Sequence, residues 1–315
     1  MGSHIATVDA ITEEKVATAP ATSLSDGPEF ILASAPHRVG RVSLVVHDLE
    51  RVSEFYQSVL GLRVVEEVSG RVRLGTSSSV LLELAHEPAA RLRNPQEAGL
   101  FHTAFLLPRR DALGAWLSHA AAAGVRLTGA ADHLVSEAVY LNDPEGNGIE
   151  IYVDRPSGAW SRAGGMIEMS TDPLDLDGLV KASTGTNWSG FPEAGVVGHV
   201  HLQVGDLAAA DAFYRDLLGF ELTTRYPGAS FYGSGGYHHQ LAGNIWNSRG
   251  APERTDVATG LAEVELLADE EVLEALRSKP LARKHALGPD GISLRDPWGT
   301  SISLREARPE KMKGE

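Results

Sequence analysis

Hydrophobic and polar positions alternate along Val42-Ser43-Leu44-Val45-Val46-His47-Asp48-Leu49, and again along Val200-His201-Leu202-Gln203-Val204-Gly205-Asp206-Leu207. Such alternation predicts a strand with one buried face, and the Asp ending each run is suited to cap a following helix. Phe-Tyr follows each run, at Phe55-Tyr56 and Phe213-Tyr214, and then Leu-Gly, at Leu60-Gly61 and Leu218-Gly219. This predicts a helix with its aromatic pair turned inward, stopped where glycine accepts a left-handed backbone. Short strands should follow each helix. The recurrence marks an internal repeat.

A second repeat closes each half: Asp143-Pro144-Glu145-Gly146-Asn147-Gly148-Ile149-Glu150-Ile151 matches Asp296-Pro297-Trp298-Gly299-Thr300-Ser301-Ile302-Ser303-Leu304. Pro and Gly there predict a tight turn feeding a strand. On that strand Ile149 and Ile151 leave Glu150 alone on the opposite face. A carboxylate at the end of an apolar strand is costly to bury unless it is paired or binds a metal. Middle helices are predicted from Asp111 to about Ala123 and from Glu270 to about Ser278, preceded by strands at Phe101–Leu107 and Glu263–Leu267. The result is an α+β chain of four strand-helix-strands modules. Residues 154–194 contain Pro, Gly, Trp160, Trp188 and a short helix candidate near Asp175 to Lys181, and read as an ordered crossing linker. Residues 1–36 show no sustained periodicity and are expected to be a mobile tail whose Met1-Gly2-Ser3-His4 reads as an expression scar; residues 307–315 form a C-terminal tail.

Composition narrows the chemistry. A formal charge of -14 with no basic run argues against nucleic acid as a partner. No stretch approaches the roughly 18 apolar residues of a membrane helix, and the N-terminus lacks the order of a signal peptide. A soluble, cytoplasmic protein acting on small molecules is expected. With no cysteine there is neither a disulfide nor a thiolate ligand, so a metal would have to be held by His and carboxylates.

The two repeats resemble the vicinal oxygen chelate superfamily, in which βαβββ modules pair into incomplete barrels around a metal. The likeness covers 39–153 and 197–306, implying two glyoxalase/extradiol-dioxygenase-like domains of two modules each. In that family ligands come from the first and last strands of paired modules. The matching first-strand residues are Arg41, His102, His199 and Glu263, and the last strands offer Glu150 and Ser303. A guanidinium does not deprotonate and cannot bind a metal, and serine is a poor ligand. Pairing module one with two, or three with four, completes no site. Pairing two with three unites His102, Glu150 and His199, two imidazoles and a carboxylate that leave open positions on Fe(II), with Mn(II) an alternative. One metal per chain is implied, and the remaining module pair is structural.

Within the superfamily, Tyr237-His238-His239-Gln240-Leu241-Ala242 resembles the His-His-x-Leu-Ala strand of type I extradiol dioxygenases. Adjacent residues of a strand face opposite sides, so one histidine can enter the cavity while the other stays outside. The resemblance implies that His239 handles protons and makes His238 the lesser candidate for a substrate contact. Tyr140 is implied to hydrogen-bond a substrate oxygen, though a core aromatic would look the same, and His133 is a further contact. Asn244 and Trp246, with Asn247, make the chain similar to short two-domain bacterial catechol 2,3-dioxygenases. The implied reaction is meta cleavage of a catechol-type diol by O2 to a muconic semialdehyde, in a homo-oligomer because the family commonly associates. Two alternatives stay open: a glyoxalase-like isomerase or lyase, which would want a fourth ligand for which Gln240 is the nearby candidate, and a metal-free small-molecule-binding protein. His201 shares a strand face with His199 and either supports the site or packs; His47, His86 and His119 are expected in solvent.

Overall fold

Both alternating runs form strands at the centre of an eight-stranded sheet. The computed structural model describes residues 31–279, 287–288 and 291–307. Most of the expected N-terminal tail, with its scar, and nearly all of the C-terminal tail lie outside these residues. Residues 31–36 were expected in the tail, but Ile31–Ser34 form a 3-10 turn and Leu32 and Ala35 are buried.

Module one comprises β1 (His37–Val46), α1 (Leu49–Ser58), β2 (Arg63–Val68), β3 (Arg71–Gly75) and β4 (Val80–His86). Module two comprises β5 (Gly99–Leu106), α2 (Arg110–Ala122), β6 (Leu127–Asp132), β7 (Ser136–Asn142) and β8 (Gly148–Asp154). The crossing segment holds the short pair β9 (Arg162–Ala163) and β10 (Met166–Ile167) and then α3 (Leu176–Ala182). Module three is β11 (Val196–Gln203), α4 (Leu207–Asp211) continuing as a wider π-type segment over Ala212–Leu217, β12 (Glu221–Tyr226), β13 (Ala229–Gly233) and β14 (Leu241–Asn244). Module four is β15 (Gly260–Ala268), α5 (Glu270–Ser278), β16 (Leu287–Gly288), β17 (Gly291–Arg295) and β18 (Ser301–Glu306).

Local signals act as their chemistry requires. Asp48 and Asp206 cap their helices by accepting the N–H groups of Arg51 and Ala209. Gly61 closes α1 with φ 75°, and a Cβ there would lie 2.5 Å from Gly190 Cα. In both Asp-Pro turns the carboxylate organises the loop: Asp143 Oδ1 accepts from Glu145 and Asn147, and Asp296 Oδ1 from Trp298 and Thr300.

The sheets are shared between the repeats. One runs β16-β17-β18-β15-β1-β4-β3-β2 and the other β12-β13-β14-β11-β5-β8-β7-β6. Module one therefore pairs with four, and module two with three, each across an antiparallel junction of first strands. A continuous apolar core containing Leu44, Leu82, Phe105, Ile151, Tyr232 and Leu266 lies under both sheets.

Candidate metal centre

The β5–β11 junction brings the expected residues together. His199 pairs with Ala104 of β5, and Ala104 pairs with Glu150 of β8, so two candidate ligands face each other across one intervening strand. His102 sits two residues earlier on β5, opposite His201. Glu150 Oε2 is 2.9 Å from His102 Nε2 and 3.2 Å from His199 Nε2. One potential ligand atom from each of the three lies within 4.8 Å of the others, and all three residues are buried. The imidazoles of His199 and His102 hold the Glu150 carboxyl well below the usual range although burial pushes it up. Burial drives the His199 imidazole down to about 4 against the pull of Glu150. The group is thus an ionised carboxylate beside a neutral imidazole. His102 Nε2 and His199 Nδ1 are buried and make no hydrogen bond of good geometry.

In the other sheet the equivalent positions carry an ion-pair network. Arg41 lies 3.2 Å from Glu265, 3.4 Å from Glu83 and 3.7 Å from Glu263, and Ser303 donates to Glu263 at 3.0 Å. Arg41, helped by Arg71 and Arg73 at Glu83 and by Arg305 at Glu265, balances these carboxylates with cations already fixed to the chain.

A cavity of about 190 Å³ borders His102, Glu150 and His199. His239, Tyr140, His133 and Trp246 also line it, together with Phe101, Phe231 and Tyr226. Trp246 stands at its rim, half-exposed, with its indole N–H donated to the Pro227 carbonyl at 2.8 Å. The crossing segment supplies Met169, Ser170 and Thr171 to the wall. No periodicity in that segment marks them.

His238 and Asn244, expected to touch substrate, do not line the cavity; they stand behind residues that do. His238 and His239 were expected on a strand, facing opposite ways. Instead they follow the turn at Gly235 and Gly236, both with positive φ, and precede β14. The backbone is not extended there, so the rings lie side by side with Nδ1 atoms 2.8 Å apart. His238 Nε2 is 2.9 Å from Asp154 Oδ1, and Tyr237 donates to Asp154 Oδ2 at 2.9 Å. These contacts assign the protons. The carboxylate can only accept, so His238 gives it the Nε2–H, and with that single ring proton its Nδ1 accepts from Nδ1–H of His239. His239 is left with a bare Nε2, and burial sets its pKa well below the ordinary histidine value. Asp154 escaped sequence reasoning, although it shares the face of Glu150 at a spacing of four.

The same logic fixes Tyr140. His133 Nδ1 is 2.6 Å from the Ser170 carbonyl and its Nε2 is 2.6 Å from the Tyr140 hydroxyl. A carbonyl only accepts, so His133 with a single ring proton has a bare Nε2 that takes the Tyr140 O–H, while the Glu150 carboxylate lies within reach of the same hydroxyl and competes for that proton. Gln240, the candidate fourth ligand, donates its amide to the Ser234 carbonyl at 3.1 Å and does not border the cavity. Of the remaining histidines, His47 bonds the Ala90 carbonyl at 2.6 Å and His119 the Ser58 carbonyl at 3.0 Å, both away from the cavity.

The family model described as Glyoxalase/Bleomycin resistance protein/Dioxygenase superfamily matches residues 38–151 and 196–302. A protein of Bacillus subtilis (strain 168) named catechol-2,3-dioxygenase is 40% identical over 228 residues, covering 71% of this chain and 80% of that protein. A crystal structure from Bacillus subtilis subsp. subtilis str. 168, whose dioxygenase name is provisional, superimposes with a TM-score of 0.59 at 14% identity, covering 86% of each chain. A glyoxalase I variant from Zea mays does so with a TM-score of 0.53 at 17% identity, covering 87% of this chain and 95% of that one. Likeness at such identities establishes the fold and leaves the chemistry to the site.

Proposed function

This chain belongs to the Glyoxalase/Bleomycin resistance protein/Dioxygenase superfamily, and we propose that it is an extradiol dioxygenase, cleaving a catechol-type ring beside its hydroxyls with O2 to give a muconic semialdehyde. The observation that carries this reading is the convergence of His102, Glu150 and His199 on a cavity that His239 also lines, with its Nδ1 turned to His238 and its Nε2 unprotonated. The 40% identical relative named catechol-2,3-dioxygenase supports the same choice.

The residues present fit a metal. Two imidazoles and one carboxylate suit Fe(II), or Mn(II), on one face and leave other positions open. A buried polar atom without a partner costs about 1–3 kcal/mol, and a cation would relieve that cost at His102 Nε2. His102, Glu150 and His199 would hold the ion. When bound, it would supply open coordination positions and a path for electrons between diol and dioxygen.

The chain's own residues do the rest. Phe101, Phe231 and Trp246 give the ring apolar walls and limit water. His239 takes a diol proton at Nε2 and can return it to an oxygen at a later step. As it becomes cationic, its Nδ1–H bond to His238, backed by Asp154, stabilises the charge without moving a second proton. Tyr140, its proton given to His133, can accept from the second hydroxyl, and it becomes a donor toward substrate only once His133 is protonated. Both atoms of O2 enter the product, so no external reductant is required.

Anaerobic loading with Fe(II), followed by catechol and oxygen, should give one O2 consumed per catechol and a yellow product. His199→Ala and Glu150→Gln should lose bound iron, measured per chain, and lower oxygen uptake by at least roughly a hundredfold. Uptake that persists in both variants, or an enzyme that isomerises substrate with Zn or Ni and consumes no O2 with iron, would overturn the reading.

A further inference from the structure

His201 offers the cavity a hydrogen-bond donor that the reaction above leaves unused. It lies two residues beyond His199 on the same face of β11, buried, and borders the cavity. Its ring centroid is 5.0 Å from Phe101, 5.4 Å from Trp246 and 5.7 Å from Phe231, an aromatic surround, and 5.0 Å from His102.

The tautomer of His201 follows from its neighbours. Asn244 Oδ1 accepts the backbone N–H of Trp246 at 3.2 Å, which orients the amide so that Nδ2 faces His201 Nε2 at 3.0 Å. An amide NH2 only donates, so His201 Nε2 accepts and the ring proton resides on Nδ1. Among the described residues no protein group accepts that Nδ1–H. A polar N–H among aromatic walls binds best to a ligand that brings its own acceptor. Among the described residues no Lys or Arg borders the cavity, so no cationic side chain there compensates an anionic substituent.

We propose that His201, its donor set by Asn244, makes the site selective for aromatic diols carrying an uncharged hydrogen-bond acceptor on the ring, such as a carbonyl, over diols with an alkyl group of the same shape or a carboxylate. The proposal rests on the cavity receiving aromatic diols. A cavity of about 190 Å³ suits a single ring with a small substituent.

The test is equilibrium binding to the iron-loaded full chain without oxygen, comparing acetylcatechols with isopropylcatechols and with dihydroxybenzoates, each substituted at position 3 or 4. In at least one position the acetyl compound should bind roughly tenfold or more tighter than its isopropyl partner. An acetyl group also acidifies the diol, so the informative quantity is the change in this ratio between proteins. His201→Leu should collapse it. Asn244→Asp should do the same by a different route: a carboxylate can only accept, which draws the His201 proton to Nε2 and leaves Nδ1 an acceptor. If His201→Leu fails to fold, Asn244→Asp decides.

A ratio equal in wild type and folded variants overturns the proposal, as does tighter binding of the dihydroxybenzoates. Oxygen uptake with plain catechol is run alongside. Uptake with an unmoved ratio removes the role of His201 and leaves the dioxygenase reading standing. A ratio that collapses in the variants without any uptake keeps His201 and removes the dioxygenase. If no diol binds, both fall.

Discussion

Proton positions on four imidazoles, His133, His201, His238 and His239, decide what this site can do, and each assignment starts from a neighbour that can only accept or only donate, His239's being passed on through His238. Asp154 receives two donors, His238 Nε2–H and the Tyr237 hydroxyl. Asp154→Asn would offer one amide oxygen where two donors arrive, so one bond must break and His238 loses its fixed tautomer. We expect kcat to fall roughly 10–100-fold with KM nearly unchanged, and the imidazole nitrogen NMR shifts of His239 to move. An unchanged kcat with an intact fold would reduce Asp154 to packing. Gly198 shows how closely this network is fitted, because a Cβ there would lie 1.8 Å from the Tyr152 hydroxyl, which bonds Tyr237 at 2.8 Å. At this scale His102, Glu150 and His199 were legible because strand alternation and family position agree on them. The pairing of His238 with His239 was not, since it depends on a glycine turn that takes the backbone out of strand geometry.

Among elements, the two repeated motifs turn out to be bonded partners. The Phe-Tyr helix of module one sends the Tyr56 hydroxyl to Asp143 in the turn of module two, 3.4 Å away, and Tyr214 of module three reaches Asp296 of module four at 2.8 Å. Each bond ties one sheet to the other. Burial raises both carboxyls above the usual Asp value, so losing a donor leaves a buried acceptor poorly satisfied. Tyr214→Phe should therefore destabilise the chain by about 1–3 kcal/mol in urea unfolding, and Tyr56→Phe by less, because its bond is longer. Equal, negligible losses would mean that the repeated Tyr matters only as a ring. Sequence periodicity located both motifs, but their mutual contact spans more than 80 residues and leaves no local mark.

For the whole molecule, His37 at the start of β1 joins the two sheets. Its Nε2 bonds the Leu218 carbonyl at 3.2 Å and its Nδ1 the Ser234 hydroxyl at 3.1 Å, with the ring stacked on Phe220 at 4.2 Å. Burial lowers its pKa from 6.5 to about 4. The unfolded chain therefore binds this proton first as pH falls. Stability from this group is intact above pH 6.5 and declines by roughly 3 kcal/mol by pH 4. His37→Gln, which does not titrate, should remove this decline, so the wild-type minus variant difference in unfolding free energy should shrink by roughly 3 kcal/mol from pH 6.5 to pH 4; a difference independent of pH would contradict the assignment. The sequence by itself determined the α+β modules with their caps and turns, because periodicity of 2 or 3.6 residues and glycine's backbone freedom are local properties, and it marked the three candidate ligands through the family resemblance of their strand positions. The joining of module two to three could be inferred only from which pairing completes a ligand set. The tertiary structure alone decided the tautomers of His133, His201 and His239, the wall supplied by residues 169–171 and the clasps between sheets. Each depends on which donor meets which acceptor across distant segments, and that is a matter of packing rather than of local pattern.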